Sequence, residues 1–253
     1  MKQSLFRSIR RKLLGEGRFL RYLTYAVGEI VLIIVGILFA LKINDWNEER
    51  KARGVETQIL TEIRSNLEHD QAEIEDDIHS LEDIIKACDG LIQFLDTQDS
   101  PSVEFHKMAG LLLVNPHFDP NHSGYDLLMS KGVEIVQSDQ LRSALSELYE
   151  SRYTYYYRYE EERTEFKTQL ILPHVIRYFS LEYVPDDRYK AEHKISQDDY
   201  SRLRGDAAFL KLLHAIKFRN SLVLDRAQGT ANNIVELIAQ LNYELGISEV
   251  EVE

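Results

Sequence analysis

Residues 22–43 read YLTYAVGEIVLIIVGILFALKI, and the rest of the chain is organised around them. A helix rises about 1.5 Å per residue, so Tyr22 to Leu41 covers about 30 Å, the depth of one hydrocarbon core. From Ile30 to Leu41 every residue is apolar or glycine. Tyr22 and Tyr25 stand at one end and Trp46 just beyond the other, where amphipathic rings meet lipid headgroups. The stretch is predicted to be a single transmembrane helix over 22–43, and the bilayer is the first expected partner.

Charge predicts its orientation. Residues 1–21 hold Lys2, Arg7, Arg10, Arg11, Lys12, Arg18 and Arg21 against Glu16 alone, a net +6 in a chain of −12. Positive flanks stay in the cytoplasm, so the N-terminus is expected inside and the acidic bulk outside. The apolar run is longer than a signal-peptide core and no A-x-A-like site follows, which predicts an uncleaved anchor. Residues 2–14, KQSLFRSIRRKLL, gather Leu5, Phe6, Ile9 and Leu13 on one side of a helix and arginines on the other. That pattern suits the surface of an anionic leaflet. Within the span, Gly28, Leu32, Gly36 and Ala40 recur every four residues with Glu29 beside them. One reading is a self-association face with Glu29 satisfied across it, hence a homo-oligomer. The other is a carboxylate snorkelling to the near headgroups, with incidental glycines.

The run from Gly28 to Leu41, followed by Ile43-Asn44-Asp45-Trp46-Asn47-Glu48, resembles an uncharacterised family of bacterial single-pass membrane proteins with the pattern YxxGEIxLxxxGIxxALxINxWNE. Ser123 to Leu128 and Ser138 to Arg142 are similar to a second motif of that family. The resemblance implies a membrane location; with the charge reading above, the expected place is the bacterial cytoplasmic membrane. It implies no activity and no catalytic residue.

Beyond Trp46, Val55, Ile59, Ile63, Leu67, Ile74, Ile78, Leu81, Ile85, Cys88, Ile92 and Leu95 step by three, four or seven. That predicts a long stalk helix over 44–97, packing within the chain or against a second copy. The stripe has a gap at Asp70. Residues 68–83 carry eight acids and no Lys or Arg, read as a solvated acidic face. Residues 98–253 are predicted to form a helical domain packing with the stalk. Pro101 ends one helix and Ser102 begins the next. Tyr125, Leu128 and Met129 enter the core from a short helix that stops near Gly132. A second long helix spans about 140–179, with Pro173 expected to kink it. Its buried side is read as Leu141, Leu145, Leu148, Tyr149, Arg152, Tyr156, Tyr159 and Arg163. Residues 180–198 read as a charged linker, and two closing helices as broken at Gly229 and stopped at Gly246.

Two stretches are candidates for function. Residues 115–124, NPHFDPNHSG, place His117, Asp119 and His122 in one loop. These are weak metal-ligand candidates, because turn chemistry explains the same composition; no metal and no cofactor is assigned. Arg152, Tyr153, Tyr155, Tyr156, Tyr157, Arg158 and Tyr159 concentrate the residue types of binding surfaces. Consecutive helical positions point all round the axis, so only some can face a protein partner.

A sole cysteine, Cys88, excludes an intramolecular disulfide. The acidic balance leaves no nucleic-acid footprint. Phosphate-loop, dinucleotide, zincin and nucleophile-elbow motifs are missing, which argues against an enzyme. The prediction is an all-α protein: anchor, stalk and antiparallel helical bundle. Its expected role is scaffolding or protein interaction at the membrane. The alternative is an extracytoplasmic ligand-sensing domain, disfavoured because only about 21 residues lie inside to carry an output.

Overall fold

A computed structural model describes residues 18–183 and 191–247. The basic helix expected over 2–14 lies outside the described residues. The described chain is all-α apart from one short hairpin. It divides into two units, residues 1–55 and 56–253.

Helix α1 runs from Arg18 to Thr97, 80 residues without a break. Among the described residues it is the one helix long and apolar enough to cross a membrane, and its most apolar window is not buried within the chain. Tyr22, Tyr25 and Trp46 are exposed. Gly28 and Gly36 face open space, and Glu29, Leu32 and Ala40 are exposed too.

From Glu56 onward the expected stalk is an interior element of the second unit. Ile63, Leu67, Ile74, Leu81, Cys88, Leu91 and Leu95 are buried, as helix periodicity requires of a core-facing stripe. The register departs from expectation at two places. Ile84 and Leu91 are buried, while Ile85 and Ile92 are only partly so. The acidic segment is not all solvated: Asp70 and Asp77 are 0% and 7% exposed. They occupy the apolar stripe itself, seven residues apart.

Helices α2 (Val103–Leu111) and α3 (Ser123–Lys131) follow, then a 3-10 turn at Val133–Ile135. The Ser102 hydroxyl caps α2 by accepting from the Phe105 amide, satisfying one of the orphan amides of a first turn. Tyr125 and Leu128 are buried, but Met129 is exposed. Gly124 on α3 lies against α1. A Cβ there would meet Ile63 Cγ1 at 2.8 Å, Asn66 Oδ1 at 2.9 Å and the Ile63 backbone nitrogen at 2.9 Å. Because one obstacle is backbone, Gly124→Ala is expected to destabilise the unit by about 2–3 kcal/mol. Equilibrium urea unfolding of the full chain in detergent measures this.

The second long helical stretch is α4 (Asp139–Ser146), a π-turn (Glu147–Arg152), α5 (Tyr153–Phe166), a second π-turn (Lys167–Ile171) and α6 (Leu172–Tyr178). A π-turn inserts a residue into the helical repeat. The buried face after the first one therefore passes through Tyr153, Tyr156, Glu160 and Arg163, not through Arg152 and Tyr159. The second π-turn directly precedes Pro173, which lacks the amide that regular helix would need.

Residues expected as linker instead pair β1 (Ser180–Tyr183) with β2 (Ala191–Lys194), antiparallel, with Leu181 opposite His193. Helix α7 (Gln197–Arg204) is capped by Ser196. Helix α8 runs unbroken from Ala207 to Leu245 and ends at Gly246, whose φ is +66°. Gly229 does not break it. Its Cβ position is open, so Gly229→Ala is expected to raise stability by about 0.5–1 kcal/mol, the helix-propensity difference.

Contacts give the directions of the long elements. Arg64 meets Asn242 and Lys217 meets Asp89, so α8 runs antiparallel to α1. Asp70 meets Tyr153 and Asp77 meets Tyr156, so α5 runs parallel to α1. The expected antiparallel arrangement is thus only partly met, because residues 98–138 return along α1 before α4 begins. Two apolar clusters form the core. One joins Ile63, Leu67 and Ile74 to Tyr149, Tyr153 and Ile234. The other joins Ile84, Leu91 and Leu95 to Phe105, Val175, Tyr200 and Leu213.

Candidate functional site

The returning segment has little regular structure between α2 and α3, so its backbone amides need partners from elsewhere. Carboxylates supply several. The Asn121 amide donates to Asp70 Oδ1 (2.9 Å), Asp119 to Glu73 Oε1 (3.3 Å) and Phe118 to Glu160 Oε1 (3.1 Å). Gly124 donates to Asn66 Oδ1 (3.0 Å). Arg163 donates to the Pro116 carbonyl and Lys167 to that of Leu113 (3.1 Å). These contacts explain why acids sit in the apolar stripe of α1 and on the buried face of α5.

Under this loop lies a cavity of about 250 Å³, lined by His117, Phe118, Asp119, Pro120, His122, Tyr149, Tyr153, Thr154, Tyr157 and Glu160. Its walls are aromatic. Tyr149 meets Tyr153 edge-on at 5.2 Å between centroids, Phe118 meets Tyr153 at 5.3 Å and His122 meets Tyr149 at 5.4 Å. Tyr125 stacks behind Tyr149 at 4.4 Å. The Tyr153 hydroxyl donates to Asp70 Oδ2 (2.8 Å), which fixes that ring.

Two cavity groups are left over. Glu160, 2% exposed, uses Oε1 on Phe118, but its Oε2 makes no hydrogen bond; nor does the Tyr149 hydroxyl, on a residue 3% exposed. His117 Nδ1 lies 3.5 Å from Oε2. Native interiors rarely leave such atoms unmatched. Burial pushes the Glu160 carboxyl up to about 7, against the Phe118 bond, with Asp77 adding to the rise and Arg163 opposing it. Asp77 is raised to about 6, again by burial, with Arg163 opposing. Burial also outweighs the Asn121 and Tyr153 bonds at Asp70, whose pKa is raised. Arg163 is pulled below its usual range by burial despite Glu160 beside it.

The structure brings His117, Asp119 and His122 to one cavity wall. Among the described residues, however, no three His, Cys, Asp or Glu side chains are grouped to hold a metal. The tyrosine-arginine segment divides. Tyr153 and Tyr156 are buried and belong to no exposed interaction surface. Tyr157 rims the cavity. Tyr155 and Tyr159 are joined through their hydroxyls (3.1 Å), and Arg226 of α8 lies 5.3 Å over each ring. Arg152 pairs with Glu147 (2.7 Å), and Arg158 is exposed. Sequence reasoning misses Asp70, Asp77, Glu160 and Tyr149 as a site. The one signal it holds for them is a pair of aspartates at core positions of a heptad stripe.

No curated protein and no solved structure matches the chain. A family model does match, over residues 29–180, from Glu29 in the apolar stretch to the first residue of β1. That match covers most of the chain and all the cavity residues, and the chain accordingly belongs to DUF6090, a family of unknown function.

Proposed function

We propose that this chain is a membrane-anchored, non-enzymatic protein whose helical unit binds a small ligand in the cavity beneath residues 115–122. The observation that carries the reading is the cavity itself, set under that loop and lined by Phe118, Tyr149, Tyr153 and Tyr157. Pockets of this kind, apolar with a few converging polar groups, suit small molecules. Helix α1 carries both the apolar stretch and the carboxylates that tie the loop, which favours ligand sensing over pure scaffolding. The net +6 of residues 1–21 supports placing that end in the bacterial cytoplasm and the ligand unit outside the cytoplasmic membrane. The test is native mass spectrometry of the full chain released from its own membranes in mild detergent. Wild type is expected to retain a small-molecule mass that Thr154→Trp, which fills the cavity mouth, loses. Identical spectra from the two would sink the reading.

Scaffolding keeps one specific support: Gly28, Gly36 and their neighbours are open to a second copy. If a homo-oligomer forms there, Gly36→Leu and Glu29→Ala are expected to lower crosslinked dimer in lipid several-fold. Unchanged crosslinking in both variants would reduce the stretch to a tether.

A further inference from the structure

We infer that the helical unit docks on the headgroup layer of its own bilayer through four apolar side chains at its Glu56 end, Met129, Val133, Tyr243 and Ile247. This rests on the membrane-anchor part of the reading above and not on the cavity. Three segments meet at that end. Glu56 is the first residue of the unit and accepts from the Gln137 amide (2.8 Å), which brings the 3-10 turn and its Val133 there. Arg64 meets Asn242 (2.6 Å), and α8 runs antiparallel to α1, so Ile247, five residues past Asn242, lies near the level of Ile59. Behind them Ile59, Leu60, Val136 and Leu241 share one buried cluster.

Single exposed apolar residues are ordinary on a protein surface. These four differ in standing at one end of the unit, the end that the chain joins to the apolar stretch. Tyr243 is 87% exposed, Met129 49%, Ile247 41% and Val133 40%. Their positions are built. Buried Val136 holds the turn that presents Val133, and the Ile247 amide donates to the Asn242 carbonyl (2.9 Å) past the left-handed Gly246. An exposed tyrosine brings the apolar ring and polar tip that favour headgroup depth.

The chain itself names the occupant. Residues 47–55 separate Trp46 from Glu56, and ten steps span at most about 35 Å even when fully extended. The bilayer that takes up residues 22–43 is therefore within reach of this end, and tethering gives it a high effective concentration there. A second copy has no such tether. Beside the four, exposed Lys131, Glu134 and Glu244 leave a net charge of −1, so docking is apolar and needs no anionic lipid.

The experiment is nitroxide labelling of the full chain in nanodiscs of zwitterionic phosphatidylcholine. Single labels go on Val133→Cys, Ile247→Cys, Val103→Cys and Ile34→Cys; Cys88 is buried and is left in place. Val103 is 71% exposed and opens α2 just past Thr97, where α1 ends, about 60 Å along that helix from Glu56. The readout is the ratio of collisions with oxygen, which concentrates in lipid, to collisions with a water-soluble nickel chelate. Labels at Val133 and Ile247 are expected to give ratios about threefold or more above that at Val103, as an apolar surface sunk about 5–10 Å into the interface requires. Val133→Asp with Tyr243→Asp is expected to return the Ile247 label to the Val103 value.

Equal ratios at Val133, Ile247 and Val103 overturn the docking surface, and a lipid-exposed Ile34 label in that sample leaves the anchor standing. A water-exposed Ile34 label overturns the anchor as well. An Ile247 ratio unchanged by the two aspartates shows that the tether alone sets its depth, and overturns the role of the four side chains. Spectral broadening at Val133 that vanishes on dilution with unlabelled chain gives the surface to a second copy instead.

Discussion

Asp70→Ala is expected to destabilise the folded unit by about 3 kcal/mol and to release the loop over the cavity. The carboxylate is fully buried and accepts from the Asn121 amide on one oxygen and the Tyr153 hydroxyl on the other. Alanine leaves both donors buried and unmatched, each costing about 1–3 kcal/mol, and opens a small void. The two penalties do not add fully, because the loop can lift and rehydrate its amide. Asp70→Asn keeps one acceptor in place and is expected to lose about half as much. Urea unfolding of the full chain in detergent reads the stability. Hydrogen exchange across residues 115–124 reads the loop, with protection expected to fall in Asp70→Ala and to persist in Tyr149→Phe. Retained protection in Asp70→Ala would show that the tether is elsewhere.

Stability is also expected to fall as pH rises from about 4 to 7. Glu160 titrates from its ordinary 4.5 up to about 7 on folding, and Asp77 from 3.8 up to about 6. Between those limits the unfolded chain has released protons that the folded chain retains. The folded state binds more protons, so raising pH favours unfolding throughout that window and the loss levels off above it. Converted at 1.36 kcal/mol per pKa unit, each group contributes on the order of 3 kcal/mol. The two carboxyls interact with each other and share Arg163, so their sum is smaller than twice that. The groups facing Glu160 are Asp77 and Glu73 from α1, Arg163 on its own helix and His117 from the loop. Asp199 and Asp206 are shifted downward by hydrogen bonds. Their stabilisation is lost only as pH falls below the ordinary carboxylate range, outside this window. Glu160→Gln is expected to flatten the profile between pH 5 and 7 and to raise stability at pH 8. A wild-type midpoint that climbs from pH 5 to 8 would contradict the burial of these two carboxyls.

Three carboxylates share the work of holding the loop. Asp70 and Glu73 stabilise the loop by accepting its amides. Glu160 does so with one oxygen, while the other is buried without a hydrogen bond, 3.5 Å from His117 Nδ1.

The local properties of the chain are legible in its residues alone. Helix periodicity from Ile59 to Leu95 depends only on spacing, and the buried heptad Leu67, Ile74, Leu81, Cys88 and Leu95 follows it. The Ser102, Ser138 and Ser196 caps and the Gly246 stop depend on side-chain chemistry and φ preference within a few residues. The apolar stretch 22–43 declares itself by composition. Other features depend on partners far away in sequence. Asp70 and Asp77 look like surface charge until Tyr153, Tyr156 and the returning loop are set over them, because burial of a carboxylate is a property of its neighbours. Glu160 and Tyr153 reach the core only because a π-turn at Glu147–Arg152 shifts the helical face, and spacing counted at 3.6 residues per turn runs straight through it. Gly229 is a break by propensity, yet the glycine cost of about 1 kcal/mol is small beside the packing of α8 across both apolar clusters. The parallel course of α5 and α1 comes from the return of residues 98–138, and it is this return that sets the loop beside α5 and forms the open cavity between them.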